Sequence, residues 1–311
     1  MKFYIGCSGW SYNAWQGAFY PSDIKNSKWL EFYSKVFDYV EIDSSFYNIP
    51  NIFTVKQWLK RTQESFRFTA KFPKVITHDK RLKNVDNELK LFFKTIEPLY
   101  NRTLALLIQL PPSIEIMEGL ERLREIVLKL DKRFRYAVEV RHQSWFQDLA
   151  YNFFANNNIC MVWSQIVGIR TPPIVTSDFL YLRFIGDRSL QEKDFGRIQK
   201  DRTTEMRKWA NRIKRVEKSN EEENKRLRFA IVAANNHYAG FGPMSANIFR
   251  KMIGLKEVTW DQKAKGQQEI SNSNSHTSDS ENKKKIQRTL TDFLQRFRSY
   301  YYYYLASPNF K

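Results

Sequence analysis

Eight short apolar runs, rich in β-branched and aromatic residues, recur along the chain. They are "FYIGCSG" from Phe3, "YVEID" from Tyr39, "FRFTAKF" from Phe66, "LALLIQL" from Leu104, "RYAVEV" from Arg135, "ICMVWSQ" from Ile159, "FLYLRFIG" from Phe179 and "RFAIVAANN" from Arg228. Runs this continuously apolar are strands covered on both faces, as in a parallel sheet. The segments between them carry helical spacing. "SKWLEFYSKVF" is one. "GLERLREIVLKL" puts Leu120, Leu123, Ile126, Val127 and Leu130 on one face, and "TTEMRKWANRIKRV" aligns Met206, Trp209, Ile213 and Val216. Eight strands alternating with helices predict an α/β protein of the TIM-like (β/α)8 barrel type, with a doubly wound open sheet as the alternative.

The pattern breaks after Leu255. Residues 256–285 are polar, poor in aliphatics and rich in Ser, Asn, Gln and Lys. Such a segment buries too little apolar surface to offset the entropy of ordering. The expected organisation is a barrel over 1–255, a flexible polar linker over 256–285, and a C-terminal tail over 286–311 where apolar residues return.

Charge adds a statement about partners. The 311 residues carry a formal net charge of +18. That balance favours polyanions, nucleic acid and DNA first, over neutral ligands, with a solubility adaptation as the bland reading. The two cysteines, Cys7 and Cys160, both fall in strand-like runs, and no CxxC or Cys/His cluster exists. A structural zinc finger is therefore excluded, and sparse cysteine fits a reducing cytosol. The start of the chain lacks the apolar core of a signal peptide. No run reaches the roughly 18 apolar residues of a membrane span. A cytoplasmic protein without a membrane partner is expected.

In a barrel the chemistry gathers where strands end. Glu41 and Asp43 stand two apart on one strand and so share a face, as do Glu139 and Arg141 on another. Lys71 closes the third strand and Arg183 lies in the seventh. Charges in apolar strands are costly unless paired or solvated. The ring is either a set of structural salt bridges or a mixed-charge pocket for a phosphate group. In the second case Arg141 and Arg183 hold phosphate, while Asp43, Glu139 and Lys71 serve catalysis. Glu41, Asp43 and Glu139 are the oxygen ligands for a possible Mg²⁺ or Mn²⁺ ion. His142 is the proton shuttle. Asn235 and Asn236 end the last strand, and Trp10 and Tyr47 offer rings for bases or sugars. No P-loop, GxGxxG or GxSxG motif is present, so no nucleotide-cofactor motif supports another chemistry.

The stretches "IGCSGWSYNAWQGAFYP", "VEIDSSFYNIP", "FRFTAKFPKVITH", "LIQLPPS", "AVEVRHQSWF" and "AANNHYAGFGPMSANIFRKMIGL" together resemble the YecE-like family, also called domain of unknown function 72. The resemblance covers roughly residues 3–255. It implies a TIM-like barrel and no settled activity. The family's barrel has been likened to metal-dependent DNA-repair endonucleases that hold several zinc ions with many histidines. This chain has only four histidines. Glu41, Asp43, Lys71, Glu139, Arg141, His142, Asn235 and Asn236 all lie in family-like motifs.

In the tail, Gln287, Leu290, Phe293 and Leu294 resemble the peptide by which replication and repair proteins bind the PCNA sliding clamp. One helical turn sets the three apolar residues side by side as a plug, and the glutamine amide bonds backbone beside it. Leu294 stands where an aromatic is commoner. A terminal helix packed on the barrel is the alternative. Together these features predict a DNA-binding protein of repair or replication, a phosphodiester-cleaving nuclease recruited by the clamp. A small-molecule enzyme on phosphorylated sugars or nucleotides, and a non-catalytic DNA-binding adaptor, are the rival readings.

Overall fold

The computed structural model describes residues 1–186, 188–222 and 227–260. All eight expected strands are present. They are β1 (Lys2–Ser8), β2 (Tyr39–Ile42), β3 (Arg67–Lys71), β4 (Thr103–Gln109) and β5 (Tyr136–Glu139), then β6 (Cys160–Met161) with β7 (Trp163–Ile166), β9 (Phe179–Gly186) and β10 (Phe229–Ala234). A short β8 (Ile169–Arg170) turns back on β7 as an antiparallel hairpin.

The sheet order is β6-β5-β4-β3-β2-β1-β10-β9-β7-β8. β6 at one end and β7, beside the hairpin strand β8 at the other, are consecutive in sequence, because only Val162 separates them. The Val162 amide still donates to Val138 of β5 at 2.9 Å, while β7 pairs in parallel with β9. One interrupted strand thus completes the ring, and the doubly wound alternative is set aside. All other pairings among the described strands are parallel.

The helices α1 (Trp29–Val36), α2 (Ile52–Lys60), α3 (Asp86–Ile96), α4 (Ile116–Val127), α5 (Asp148–Asn156), α6 (Thr203–Glu222), α7 (Asn236–Ala239) and α8 (Gly242–Met252) follow the strands. Their apolar stripes meet the outer face of the sheet, as the spacing predicts. Ile116, Leu120, Leu123 and Ile126 of α4 are buried, and so are Met206, Trp209 and Ile213 of α6. Leu130 lies beyond the end of α4 yet is also buried. This outer layer forms the main core, and a second apolar cluster fills the lumen. Gly6 is required where α1 reaches the sheet: a Cβ there would lie 2.1 Å from the Tyr39 carbonyl and 2.7 Å from the Tyr33 hydroxyl. That hydroxyl bridges β1 and β2, accepting from the Cys7 amide and donating to Tyr39 O.

Residues 256–260, the start of the polar stretch, are tied to the barrel. The Asn247 side chain exchanges two hydrogen bonds with the Val258 backbone, and the buried Trp260 donates to Ala18 O at 3.1 Å. The rest of the linker and the whole tail lie outside the described residues, including Gln287, Leu290, Phe293 and Leu294. Among the described residues no helix is long and apolar enough to cross a membrane.

Candidate active site

Side chains alternate along a strand, so every second residue of each strand enters the lumen. Tyr39, Ala105, Ala137, Val162, Tyr181 and Ala233 belong to the lumen cluster. The next inward positions toward the strand ends are therefore Glu41, Leu107, Glu139, Ser164, Arg183 and Asn235. The same count brings in Ser8 on β1, Lys71 on β3 and Gln109 on β4. The mouth of the barrel is thus closed by a layer that is almost wholly polar.

Arg183 is the centre of that layer. Its Nε and Nη2 donate to both oxygens of Glu41, at 2.9 and 2.6 Å, and its Nη1 donates to Oε2 of Glu139. All three residues are buried, Arg183 with a side-chain exposure of 2 %. Glu41 also accepts from Ser8 Oγ at 2.5 Å and from the Tyr181 hydroxyl. Tyr181 continues downward into a ring of hydroxyls, 3.0 Å from Tyr39 and 2.8 Å from Thr69. Glu139 accepts Arg141 Nε at 2.6 Å, and Arg141 Nη2 donates to Gln109 Oε1 at 2.9 Å. Lys71 Nζ donates to Asp43 Oδ1 at 3.1 Å and lies 4.1 Å above the Phe46 ring. Three carboxylates face three cations, which is how so many charges are buried together.

This balance sets the protonation of each group. Burial alone would raise Glu139, but Arg141 and Arg183 outweigh it and hold the carboxyl at about 2. Asp43 is likewise pushed up by burial and brought below its ordinary value by Lys71 and Arg183. Burial lowers Lys71, with Arg183 adding to the effect and Asp43 opposing it. Glu139 and Asp43 are therefore bases rather than acids at neutral pH, and Lys71 is a stronger acid than a free lysine.

The other expected residues are placed as follows. His142 turns away from this layer: its Nδ1 lies 2.9 Å from Ser144 Oγ and its Nε2 3.7 Å from Glu115. Asn235 caps α7 by accepting from the His237 amide. Asn236 is a buried tie whose Oδ1 accepts from Trp15 Nε1 at 3.0 Å and Gly242 N at 2.8 Å. Trp10 packs edge-on against Trp58 of α2. Tyr47 is 68 % exposed and packs edge-on against Phe46. Glu41 already accepts four donors, and Arg183 stands between it and Glu139. A cation held by Glu41, Asp43 and Glu139 together would have to displace that guanidinium. Among the described residues no group of three His, Cys, Asp or Glu converges as a metal site.

One residue that sequence reading passed over does join the mouth. His78 sits in a π-helical turn after β3, Val75–Asp79, with its ring edge-on to Phe46 at 5.0 Å. Burial, then the positive charges of Lys71 and Arg141, lower it to about 4. The available signal was its place at the C-terminal end of a barrel strand, inside the "FPKVITH" stretch.

A family model described as "Protein of unknown function DUF72" matches residues 4–269. UPF0759 protein YecE of Escherichia coli (strain K12) is 33% identical over 143 residues, 46% of this chain and 50% of that protein. UPF0759 protein YunF of Bacillus subtilis (strain 168) is 31% identical over 155 residues, 48% of this chain and 54% of that protein. The chain thus spans about half the length of the curated relatives it matches. The crystal structure of a DUF72 family protein from Thermotoga maritima superposes with a TM-score of 0.64 at 28% identity, covering 81% of this chain and 99% of that one. One from Enterococcus faecalis gives 0.63 at 21% identity, covering 82% and 98%, which speaks to the fold alone.

Proposed function

The chain belongs to the DUF72 family, and on that premise we propose that its barrel mouth binds a phosphate ester and hydrolyses it, with DNA as the favoured carrier. One observation carries the reading. Every nitrogen of the buried Arg183 already donates to Glu41 or Glu139, whereas the less deeply buried Arg141 and Lys71 keep a free Nη1 and further ammonium N–H groups to offer. A locked lower layer under a cationic rim is a rigid seat for an anion. The net charge of +18 favours nucleic acid as its source.

In this reading Arg141 holds two phosphate oxygens and Lys71 lies beside the leaving oxygen. Water attacks phosphorus, Asp43 accepts its proton, and the bond to the leaving oxygen breaks. Lys71, made more acidic by burial, returns a proton to that oxygen. Arg183, Glu41 and Glu139 act as positioning residues. The oxygens of Glu41 and Glu139 all accept arginine donors, so Asp43 is the carboxylate of the three best able to offer an oxygen to a Mg²⁺ or Mn²⁺ ion. Tyr47 offers an exposed ring to a neighbouring base.

A specific observation favours the phosphorylated sugar or nucleotide as the second reading. The Lys71, Arg141 and Asp43 side chains are only 9%, 13% and 24% exposed, so a small ligand reaches them more readily than a duplex backbone does. The deciding experiment measures cleavage of single-stranded, duplex and damaged DNA, with and without Mg²⁺ or Mn²⁺, beside phosphate release from nucleotides and sugar phosphates. Asp43→Asn is expected to lower kcat by about 100-fold or more, the usual worth of a general base. No turnover of any substrate, or full activity in an Asp43→Ala, Lys71→Ala double variant, sinks the proposal. DNA binding without turnover would leave the adaptor reading.

Recruitment by a PCNA-type clamp is the part of the proposal that rests on the tail sequence alone. Leu290→Ala combined with Phe293→Ala is expected to abolish clamp binding and leave barrel activity intact. Unchanged affinity for the clamp would refute it.

A further inference from the structure

The turn after β3 is built unlike the rest of the barrel's loops. Val75–Asp79 is a single π turn, and Arg81, Leu82 and Asn84 follow it with positive φ of 48°, 66° and 50°. Leu82 is buried, so its left-handed backbone is held in place by packing. Isolated π turns and left-handed non-glycine residues are unfavourable on their own and concentrate at functional sites. What this segment delivers to the mouth is His78. The Thr77 hydroxyl points at the Pro73 carbonyl at 3.4 Å and lies 2.8 Å from His78 Nδ1. The Thr77 contact engages Nδ1, and the unprotonated ring keeps one lone pair able to take a further proton.

The Phe46 ring is in contact with both this imidazole and the Lys71 ammonium. The charged groups facing His78 are Lys71 from β3, Arg141 from beyond β5, and Asp79 and Lys74 from its own turn. Lys71 has Asp43 as its own ion-pair partner. An anion seated between Lys71 and Arg141 would cancel the two charges that now repel a proton from the ring.

We propose that the His78 ring takes up a second proton when a doubly charged oxyanion settles between Lys71 and Arg141, so that anion binding and protonation reinforce each other. The inference rests on the phosphate-binding reading above and adds to it a linked titrating group. The proton comes from solvent and no other bond changes. The empty site holds His78 unprotonated at neutral pH, and the occupied site arms it as an acid. The ligand chemistry is a phosphate monoester, carried either by a nucleic-acid end or by a small phosphorylated molecule.

The experiment is an NMR titration of the histidine rings in the full chain. There are four histidines, and His78→Gln identifies the resonance by its loss. Sulfate is the first probe because it keeps its double charge down to about pH 3, below the His78 midpoint of about 4 in the empty protein. Sodium chloride at equal ionic strength is the control. Saturating sulfate is expected to raise the His78 midpoint by at least about one pH unit, which equals about a tenfold difference in sulfate affinity between the two ring states. Lys71→Met is expected to raise the midpoint of the empty protein, since one repelling charge is gone. If sulfate shifts the Lys71 and Arg141 signals while the His78 midpoint stays still, the inference fails alone. If sulfate shifts neither, the phosphate reading fails and the inference with it. Repeating the titration with a 5′-phosphorylated trinucleotide and with ribose 5-phosphate separates the two sources, because the true one moves the midpoint at lower concentration.

Discussion

The two ends of the barrel lumen are made from the same strands at the same alternate positions, yet they are opposite in chemistry. On β9 the inward residues run Phe179, Tyr181, Arg183; on β2 they run Tyr39, Glu41, then Asp43 just beyond. At the lower end the rings of Tyr4, Phe179 and Phe229 pack together, with Phe229 5.9 Å edge-on to Tyr4 and 5.2 Å stacked on Phe179. In the middle lie three hydroxyls, of Tyr39, Thr69 and Tyr181. At the mouth lie Glu41, Glu139 and Arg183. Aromatic and aliphatic packing is non-directional and tolerates small adjustments. The mouth depends on directional pairs whose members are each costly to bury alone. The lower lumen holds the ring shut, and the upper lumen holds charges in fixed places.

The largest effect that would break this comparison is Arg183→Leu. It leaves Glu41 buried with no cation and Glu139 with Arg141 as its remaining partner, and a loss of about 3–5 kcal/mol is expected, read as a lowered Tm or urea midpoint. A loss under about 1 kcal/mol would mean that water already shares the site. Acid should weaken the same layer without a mutation. Glu139 titrates near 2 when folded, against an ordinary value of 4.5. Its folded value is depressed, so its stabilisation is fully present above 4.5 and is lost as pH falls toward 2. Unfolding midpoints measured from pH 5 downward should decline through that window, and Glu139→Gln should flatten the decline. The smallest effect is expected below. Ile231→Ala in the lower lumen removes packing and leaves a cavity, at about 2–4 kcal/mol, with no change in the pH profile. A changed acid limb in that variant would show that the two ends do not act separately.

The legibility of the chain follows the same division. The eight strands could be read from it because burial on both faces leaves a local signature, a run of apolar residues. Glu41 with Asp43, and Glu139 with Arg141, could be grouped because a strand's period of two needs only neighbouring residues. His142 and Arg183 show where local reading stops. His142 follows a barrel strand closely, but the turn it enters gives it Ser144 and Glu115 as partners. Arg183 reads as a phosphate hook, yet its partner Glu41 is 142 residues away in sequence. His78 carries no such local mark, because its state is set by burial first, then by Lys71 and by Arg141 from across the mouth.

Asn236 makes the same point from the loops. Nothing around it in sequence says that its Oδ1 will bind Trp15 Nε1, 221 residues distant. By itself the sequence determined the class of fold, the faces of its strands and the end of the barrel where charge would gather, since these depend on composition and short-range period. Only the tertiary structure decided which charges cancel, which stay available and which histidine stands among them. Those outcomes depend on distances of a few ångströms between strands that meet only when the ring closes.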